Sequence, residues 1–419
     1  MARPKIRLDA VRIDSFRSCE RTSFSPRADL SVLIGPNGSG KTNLLQGIAL
    51  LSSGLSRARA YREQSVERAA SSAQISAGFR LGAAQLSLRS TVRYTLNDVN
   101  QEEIVGLKDE WRAGGLDDAR ARAWVELPFE IFLPQRDLAG QLSSYPRHFD
   151  PTNGMPLTRR IIEFVSAHQK MGEQIVAFRR RTHYYSASQF TDPAQCPSAI
   201  EIDQDDRLVG SGRERRGHAQ FLLDLFQLKE TNPSQYAAYV SLVGKQGLQL
   251  ISSLHWKRVK IASSQVDVRM GGKVAKRKRE RVLLIPSVTR DSDRLSLSQL
   301  SEGTLRTMAL VFYLLADGSD LLLIEEPEAC VHHGLLVSVV ELIKSASRDK
   351  QIMISTHSDF VLDHVEPENV FSVTRGARGK TSARSLAEGY SPEKLAALHE
   401  FLRTDGNLGD YWRQGGLDS

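Results

Sequence analysis

Apolar positions along the chain form two patterns, short unbroken runs and stripes with helical spacing. Unbroken runs at 32–34, 321–324 and 352–354 have the length and composition of strands buried on both faces of a parallel sheet. Stripes with helical spacing extend from Leu44 to Leu51 and over 305–315, and they predict amphipathic helices. Strands that alternate with helices in this way predict an α/β fold.

The long stretch between the first run and the later ones has a different pattern. Alternating and β-rich segments at about 72–133 predict an antiparallel lobe, and helical periodicity at about 158–255 predicts a helical lobe. Residues 258–286 predict a basic hairpin about a Gly-Gly turn. We therefore expect a discontinuous core with one insertion, namely a core of residues 1–55 and 283–419 and an insertion of residues 56–282.

Length and composition bound the class of protein. At 419 residues the chain exceeds the roughly 250–300 residues at which one hydrophobic core stops growing. Its 41% hydrophobic and 25% charged residues are typical of a globular protein. It has neither an apolar run long enough to span a bilayer nor the apolar centre of a signal peptide, so we expect a cytoplasmic protein with no membrane partner. The spacing of Cys19, Cys196 and Cys330 fits no metal site and favours buried, reduced thiols.

Residues 35–42, GPNGSGKT, match the phosphate-loop pattern GxxxxGK[ST]. In this pattern, glycines let backbone N–H groups turn toward phosphate oxygens, Lys41 reaches the β- and γ-phosphates, and the Thr42 hydroxyl ligates Mg²⁺. A plain glycine turn is the alternative, and the predicted strand before it and helix after it disfavour that reading. The predicted ligands are ATP and Mg²⁺. The predicted nucleotide-binding residues are Asn37, Gly38, Ser39, Gly40, Lys41, Thr42 and Asn43.

Two adjacent carboxylates, Glu325 and Glu326, follow the apolar run at 321–324. Open α/β sheets bind ligands at the carboxyl ends of their strands, where this pair is expected. We assign Glu325, together with Thr42, to the metal, with Glu325 acting through water, and Glu326 to orienting or deprotonating the attacking water. A solvated acidic loop is the alternative, and the phosphate loop elsewhere in the chain disfavours it.

Two further segments carry candidate residues. Ser301, Glu302 and Gly303 precede the stripe at 305–315, so the Ser301 hydroxyl and free N–H groups at the helix start can hold a second anion; an ordinary capped helix is the alternative. Gly318 is the expected C-cap of that helix. His357 follows a buried run and is placed to contact a γ-phosphate, although most lone histidines are structural.

The order of these motifs resembles the head of ABC-class ATPases. Within that class the chain is similar to the OLD-like and RecF/SMC-related group rather than to transporter subunits. Residues 8–26 (LDAVRIDSFRSCERTSFSP) look like the group's opening hairpin, residues 325–333 (EEPEACVHH) resemble its EEPE-x-x-L-H-P stretch, and residues 406–417 (GNLGDYWRQGGL) resemble the tail of many members. The matches cover about 5–55 and 285–413. They imply an α/β, P-loop ABC-type ATPase head with a flanking antiparallel β lobe and an inserted helical lobe.

The resemblance also implies a mechanism in which two heads pair head to tail. ATP on Lys41 and Thr42 of one subunit would be closed over by Ser301 and Gly303 of the other. Binding would then form the dimer, and hydrolysis would release it.

Two positions depart from the pattern of the family. Glu325 stands where many ABC heads have aspartate, and His333 stands where proline often follows the histidine at 332. The departures are compatible with slow turnover. Gln189, in YYSASQF, is the candidate for the glutamine that senses the γ-phosphate in this family.

Basic residues crowd the predicted hairpin. The net charge of +7 permits nucleic acid as a partner without requiring it. The candidates for contacts with a phosphate backbone or a partner protein are Lys276, Arg277, Lys278 and Arg279. A solvated hairpin tip is the alternative.

The sequence suggests a partner for this ATPase only by analogy. About sixty residues follow His357, too few for the Toprim nuclease that OLD-like proteins often carry, so a nuclease would be a separate polypeptide. ATPase subunits of anti-phage systems such as PARIS and Septu are arranged in this way, which suggests a sensor or scaffold that controls a separate effector, expected to be a nuclease. The alternatives are a RecF-like repair ATPase that clamps DNA and a scaffold whose turnover is incidental. The large insertion disfavours a transporter subunit.

Overall fold

The computed structural model describes two compact units, each assembled from separate segments of the chain. The first contains Met1–Tyr184, Ser319–Glu325 and Ser347–Ser419, and the second contains Tyr185–Gly318 and Glu326–Ala346. The residues that the structure describes are 5–53, 71–96, 102–118, 123–127, 129–133, 157–203, 208, 216–268, 274–376, 379–404 and 406–415.

Strands and helices are numbered here in chain order. The described strands are β1 (Arg7–Phe16), β2 (Cys19–Phe24), β3 (Leu30–Ile34), β4 (Ser71–Leu81), β5 (Ala84–Leu96), β6 (Glu102–Ala113), β7 (Val125–Glu126), β8 (Thr182–Ser186), β9 (Ile200–Ile202), β10 (Ser253–Val268), β11 (Val274–Arg290), β12 (Asp293–Leu295), β13 (Leu321–Glu325), β14 (Gln351–Ser355), β15 (Val370–Arg375) and β16 (Thr381–Ser385). The described α-helices are α1 (Lys41–Ser53), α2 (Leu157–Arg180), α3 (Arg216–Thr231), α4 (Pro233–Val243), α5 (Glu302–Leu315), α6 (His333–Ser347), α7 (Asp359–Leu362), α8 (Leu386–Gly389), α9 (Pro392–Thr404) and α10 (Leu408–Arg413).

The central sheet of the first unit contains the three apolar runs of the sequence. Its strand order is β16-β15-β3-β14-β13-β8. Strand β3 is parallel to both β14 and β15, and β14 is parallel to β13, whereas β16 is antiparallel to β15. All residues of β3 and β14 are buried, as are the first four of β13, because both faces of these strands are covered. The expectation of buried strands in an α/β fold is confirmed.

The second sheet of the first unit is antiparallel, in the order β2-β1-β4-β5-β6-β7. Strands β1 and β2 form the opening hairpin that the sequence predicts, and Arg17 in its turn has a left-handed φ of 51°. The inward positions of β1 and β4 are apolar, as a strand with one buried face requires. The β-rich segment before residue 133 therefore forms an antiparallel lobe, as expected.

Helix α1 connects the phosphate loop to the core of the first unit. It contacts β1, β2 and β4 of the antiparallel sheet and β13 and β14 of the central sheet. Leu44, Leu45 and Ile48 on this helix are fully buried. Burying each such side chain contributes about 1.5–3 kcal/mol, so the helix that begins at the loop is held firmly between the sheets.

A buried ion pair links α1, α2 and the antiparallel sheet within the first unit. Arg179 Nη1 donates to Asp109 Oδ2 at 2.7 Å, and the two side chains are 0% and 2% exposed. Arg179 Nε also donates to the Leu51 carbonyl in the last turn of α1 at 2.8 Å. The Ser90 hydroxyl donates to Asp109 Oδ1 at 2.6 Å. The guanidinium thus ties together three elements that lie far apart in sequence.

The second unit combines helices with a long two-stranded ribbon. Strands β10 and β11 pair from Ser253 opposite Thr289 to Val268 opposite Val274, and β9 and β12 pair with β11 near its base. Helix α5 packs through Phe312 against Phe221 of α3 and Tyr239 of α4. The Tyr239 hydroxyl donates to the Met308 carbonyl at 3.0 Å, which satisfies a fully buried phenol.

Three expectations about elements of the second unit are corrected. Helix α5 ends with Ala316 as its C-cap, so the prediction that Gly318 caps it is wrong; Gly318 adopts its left-handed φ of 66° two residues later. The helical pattern expected to reach about residue 255 ends at Val243, because the chain turns at Gly244 and enters β10 at Ser253. The hairpin is longer than 258–286, since its strands begin at 253 and end at 290.

None of the described helices has both the length and the apolar composition needed to cross a bilayer. Cys19 and Cys196 are buried free thiols, as expected, whereas the side chain of Cys330 lies outside the described part.

Candidate functional site

The phosphate loop lies between β3 and α1, and its glycines are required by conformation and, at Gly35 and Gly40, by space as well. Gly35, Gly38 and Gly40 have φ values of 147°, 77° and 104°, a region that other residues avoid. A Cβ on Gly35 would lie 2.1 Å from the Val373 carbonyl oxygen, and one on Gly40 would lie 2.0 Å from Thr381 Oγ1. Strands β15 and β16 therefore lie directly against the loop, and only glycine fits at positions 35 and 40.

The side chain of Lys41 forms hydrogen bonds with the backbone at the start of the phosphate loop. Its side chain is buried, at 4% exposure, and Nζ donates to the carbonyl oxygens of Gly35 at 2.8 Å and Pro36 at 3.2 Å. These are charge-assisted bonds from one end of the loop to the other. Phosphate oxygens can replace the two carbonyls as acceptors without moving the ammonium far, so the arrangement is suited to a polyphosphate.

Glu325, at the end of β13, is hydrogen-bonded to the last residue of the phosphate-loop motif, Thr42. Its Oε1 accepts a hydrogen bond from the Thr42 hydroxyl, and its Oε2 accepts one from the Tyr184 hydroxyl at 2.5 Å. Hard oxygen ligands of this kind suit Mg²⁺, which proteins hold with one or two carboxylates plus substrate phosphates. Among the described residues, no group of three His, Cys, Asp or Glu could hold a metal by itself. The donor set thus fits a cation shared with a nucleotide.

The neighbouring strand end carries Ser355, Thr356 and His357. In the sheet register Ser355 lies opposite Leu33 on one side and Glu325 on the other, so these residues share the carboxyl edge of the first unit. The Thr356 N–H donates to the Leu33 carbonyl at 3.0 Å, which fixes the chain as it leaves β14. Ser355 Oγ is buried with no hydrogen-bond partner in the described part of the protein, and His357 is half-buried. An unpaired buried hydroxyl at this edge is a polar group available to a ligand.

A hydrogen-bonded cluster that sequence reasoning missed supports the loop from the side. Thr381 Oγ1 donates to the Ser39 carbonyl at 3.0 Å and lies 2.7 Å from Ser18 Oγ, from which it can accept. Asn43 Nδ2 also donates to Ser18 Oγ at 2.8 Å, and Arg17 Nη1 donates to Asn43 Oδ1 at 3.2 Å. Asn43 thus contacts the β1–β2 hairpin. The hairpin itself was recognisable, but nothing near Thr381 in the sequence signals its contact with the loop.

Glu326 follows Glu325 directly and is the first residue of its segment in the second unit. It is half-buried and has a left-handed φ of 46°, before a short 3-10 helix at Pro327–Cys330. A non-glycine residue in this conformation costs about 1–3 kcal/mol, and strained residues of this kind cluster at active sites. Six other described non-glycine residues also have a positive φ, so the strain supports a role for Glu326 only together with its place directly after Glu325.

The remaining predicted site residues belong to the second unit. Ser301 is the N-cap of α5, and its hydroxyl accepts from the Thr304 N–H at 3.3 Å; Glu302 forms an ion pair with Arg306. Gly303 is exposed, with no atom within 4 Å of a built Cβ. Gln189 is exposed in a 3-10 helix at Ala187–Phe190, and its assignment as the γ-phosphate sensor stays a prediction.

The basic candidates lie on β11. The backbone of 276–279 pairs with 266–263 of β10, but the side chains of Lys276, Arg277, Lys278 and Arg279 lie outside the described part of the structure. From residue 253 to residue 290 the sequence has eleven Lys and Arg against two acidic residues. This local excess of nine positive charges is larger than the net charge of +7 of the whole chain, so the rest of the chain has a slight negative balance.

Several known proteins are similar to this chain. The DNA replication and repair protein RecF of Prosthecochloris aestuarii is 46% identical over 43 residues, which are 10% of this chain and only 12% of that protein. An SMC head bound to the C-winged helix domain of ScpA superposes with a TM-score of 0.48 and 12% identity, covering 92% of this chain and all of that one. The SMC head domain from Thermotoga maritima gives a TM-score of 0.40 and 12% identity, over 91% of this chain and 99% of that one.

A family model accounts for more of the sequence than the RecF match does. The model described as "AAA domain, putative AbiEii toxin, Type IV TA system" matches residues 30–137 and 249–363, which together exceed half of the chain. The matched segments include the phosphate loop, Ser301, Glu325, Glu326 and His357. The chain therefore belongs to this family of AAA-type ATPase domains.

Proposed function

We propose that this protein binds and hydrolyses MgATP, closes head to tail on ATP, and thereby controls a separate effector protein. The observation that carries the proposal is the phosphate loop, in which the Lys41 ammonium donates to the Gly35 carbonyl and the Thr42 hydroxyl donates to Glu325. Membership of an AAA-domain family supports the nucleotide.

Each residue of the first unit can be given a part in the reaction. Lys41 exchanges its carbonyl acceptors for β- and γ-phosphate oxygens and neutralises their charge. The Thr42 hydroxyl donates a hydrogen bond to Glu325, so the lone pairs of the hydroxyl oxygen would remain available to a cation, which Glu325 would hold through water. Mg²⁺ supplies Lewis-acid stabilisation of the phosphate charge when bound. His357 contacts the γ-phosphate from the adjacent strand end.

Glu326 is the proposed general base. It orients the attacking water and accepts its proton, a role for which its fixed, strained backbone is suited. Glu326→Gln keeps the shape of the side chain and removes the base, so we expect normal ATP affinity and hydrolysis at least about 10²-fold slower. Calorimetry with ATP and a phosphate-release assay measure the two quantities, with Glu328→Gln as the matched control. Turnover at the wild-type rate would assign the base to another residue.

Head-to-tail closure is proposed from Ser301 and Gly303, which are exposed at the start of α5 and could reach a nucleotide held by a second copy. Ser301→Arg should leave ATP binding intact but block closure, and Lys41→Ala should abolish binding. Each protein alone is then expected to be inactive. Mixing them produces some dimers with one intact composite site, and partial recovery of ATPase activity is expected. Full activity of Ser301→Arg alone would contradict shared sites.

The proposed role as a sensor or scaffold concerns a partner protein, a nuclease by analogy, in anti-phage defence. The description of the chain's family includes a putative toxin and a TA system, which is compatible with a regulatory role of this general kind. Co-expression with the product of the neighbouring gene, followed by size-exclusion chromatography in ATP and in ADP, tests it. We expect the ATP-bound state, which Glu326→Gln should trap, to retain the partner. Absence of a complex in both states contradicts this role but leaves the ATPase proposal in place.

A second candidate, an ATP-dependent DNA clamp, is favoured by the concentration of positive charge on the β10–β11 ribbon and by the short match to RecF. It predicts ATP-dependent binding of duplex DNA whose affinity falls steeply with salt. Replacing the four basic residues at 276–279 by serine should flatten the salt dependence. The matched control replaces four exposed arginines outside the ribbon, namely Arg159, Arg348, Arg384 and Arg403. Equal effects of the two sets would remove the ribbon from the interface.

A further inference from the structure

A continuous hydrogen-bond path joins the β1–β2 hairpin to the carboxylate of Glu325, entirely within the first unit. Arg17 Nη1 donates to Gln46 Oε1 at 2.5 Å, and Gln46 Nε2 donates to Tyr184 Oη at 3.2 Å. Tyr184 Oη then reaches Glu325 Oε2 at 2.5 Å. The four residues come from a hairpin, a helix and two strands that are far apart in sequence.

The chemistry of the groups fixes the direction of every bond in this path. A guanidinium only donates, so the oxygen of the Gln46 amide must face Arg17 and its NH₂ must face Tyr184. The Tyr184 oxygen accepts from that NH₂, and its own proton points at Glu325. The carboxylate accepts it, while its other oxygen accepts from Thr42. Donors therefore run in one direction, from Arg17 to Glu325.

We infer that Tyr184 is a positioning residue for Glu325, held in orientation by Gln46 and Arg17. The inference rests on the proposed MgATP site and adds a role that the motifs do not contain. Glutamate has one more rotatable bond than the aspartate that many ABC heads carry at this position. A second hydrogen bond, from Tyr184, fixes the longer side chain so that Thr42 and the carboxylate present their oxygens together. Outer partners of metal-binding groups typically change metal affinity by about 10–100-fold when removed.

Tyr184→Phe removes only the hydroxyl and is the direct test. We expect ADP affinity in EDTA to stay within about twofold of the wild type, while the Mg²⁺ concentration that gives half of the gain in ADP affinity rises about 10-fold. Titration calorimetry with ADP across a Mg²⁺ series measures both. Tyr185→Phe is the matched control, because Tyr185 is the next residue of β8 and its hydroxyl donates to the Arg306 carbonyl instead. Its Mg²⁺ midpoint should not move.

Gln46→Leu tests the path rather than the tyrosine alone. It removes the donor that orients Tyr184, so the Mg²⁺ midpoint should rise, but by less than in Tyr184→Phe. In the Tyr184→Phe background the same change should have no further effect, since the path is already broken. Additive shifts would contradict the path. Gln46→Leu also provides the measurement if Tyr184→Phe does not fold.

The outcomes separate this inference from the function on which it rests. If wild-type protein gains ADP affinity with Mg²⁺ and Tyr184→Phe has the same midpoint, the positioning role is wrong and the nucleotide site stands. If wild-type protein binds no ADP, or binds it equally well in EDTA, the proposed MgATP site is wrong and the role of Tyr184 falls with it.

Discussion

Replacing Asp109 by asparagine should destabilise the first unit far more than an ordinary ion-pair substitution does. Asp109 and Arg179 are 2% and 0% exposed, and Arg179 also holds the last turn of α1 through the Leu51 carbonyl. Asp109→Asn keeps the size of the side chain but leaves a guanidinium buried without its counter-charge. Breaking a buried pair from one side costs about 3–5 kcal/mol. The amide oxygen still accepts one bond, so we expect the lower end of that range.

The chain offers a matched control for this prediction. Arg80 and Asp9 are also 2.7 Å apart, but their side chains are 54% and 36% exposed. Asp9→Asn makes the same chemical change at the same distance in water. Water screens an exposed pair almost completely, so Asp109→Asn should cost much more stability than Asp9→Asn because of burial alone.

Hydrogen exchange followed by mass spectrometry measures the loss of stability peptide by peptide, so it can distinguish the first unit from the second. A loss of about 3 kcal/mol accelerates exchange by about 100-fold where opening of the first unit limits it. The acceleration should appear in peptides from β5, β6 and α1, and Asp9→Asn should leave them nearly unchanged. If Asp109→Asn accelerates exchange no more than Asp9→Asn does, burial of the pair is not the reason for its stability, and the reasoning fails.

Two other predictions concern the loop and the thiols. Gly40→Ala should abolish ATP binding in calorimetry, because its Cβ would lie 2.0 Å from Thr381 Oγ1 at a φ of 104°, whereas Gly38→Ala, with nothing within 4 Å, should weaken binding less. Burial raises the pKa of Cys196 to about 12 and also raises that of Cys19, so iodoacetamide at pH 8 should label both only after unfolding. The pKa of Cys196 is higher in the folded than in the unfolded protein, so its contribution to stability is fully present below its ordinary pKa and is lost as the pH rises toward 12. Labelling of Cys196 in the native protein at the rate of the unfolded protein would contradict its burial.

The sequence alone determined the features whose causes are local. The runs in β3, β13 and β14 are apolar because both faces of these strands are covered, and that requirement is visible in any single run. The phosphate loop was likewise readable, because the conformation of a tight turn demands glycine at particular positions. Its place between a strand and a helix followed from the periodicity on either side.

Only the tertiary structure decided which distant residues support that loop. Thr381 and Tyr184 lie in strands, where threonine and tyrosine are ordinary, so their composition carries no sign of their contacts with Ser39 and Glu325. The end of the ribbon and the cap of α5 also depended on packing that a local pattern does not record. A hydrogen bond between residues hundreds of positions apart needs no periodicity in either segment, and for that physical reason the sequence indicates the chemistry of the site while the fold decides its geometry.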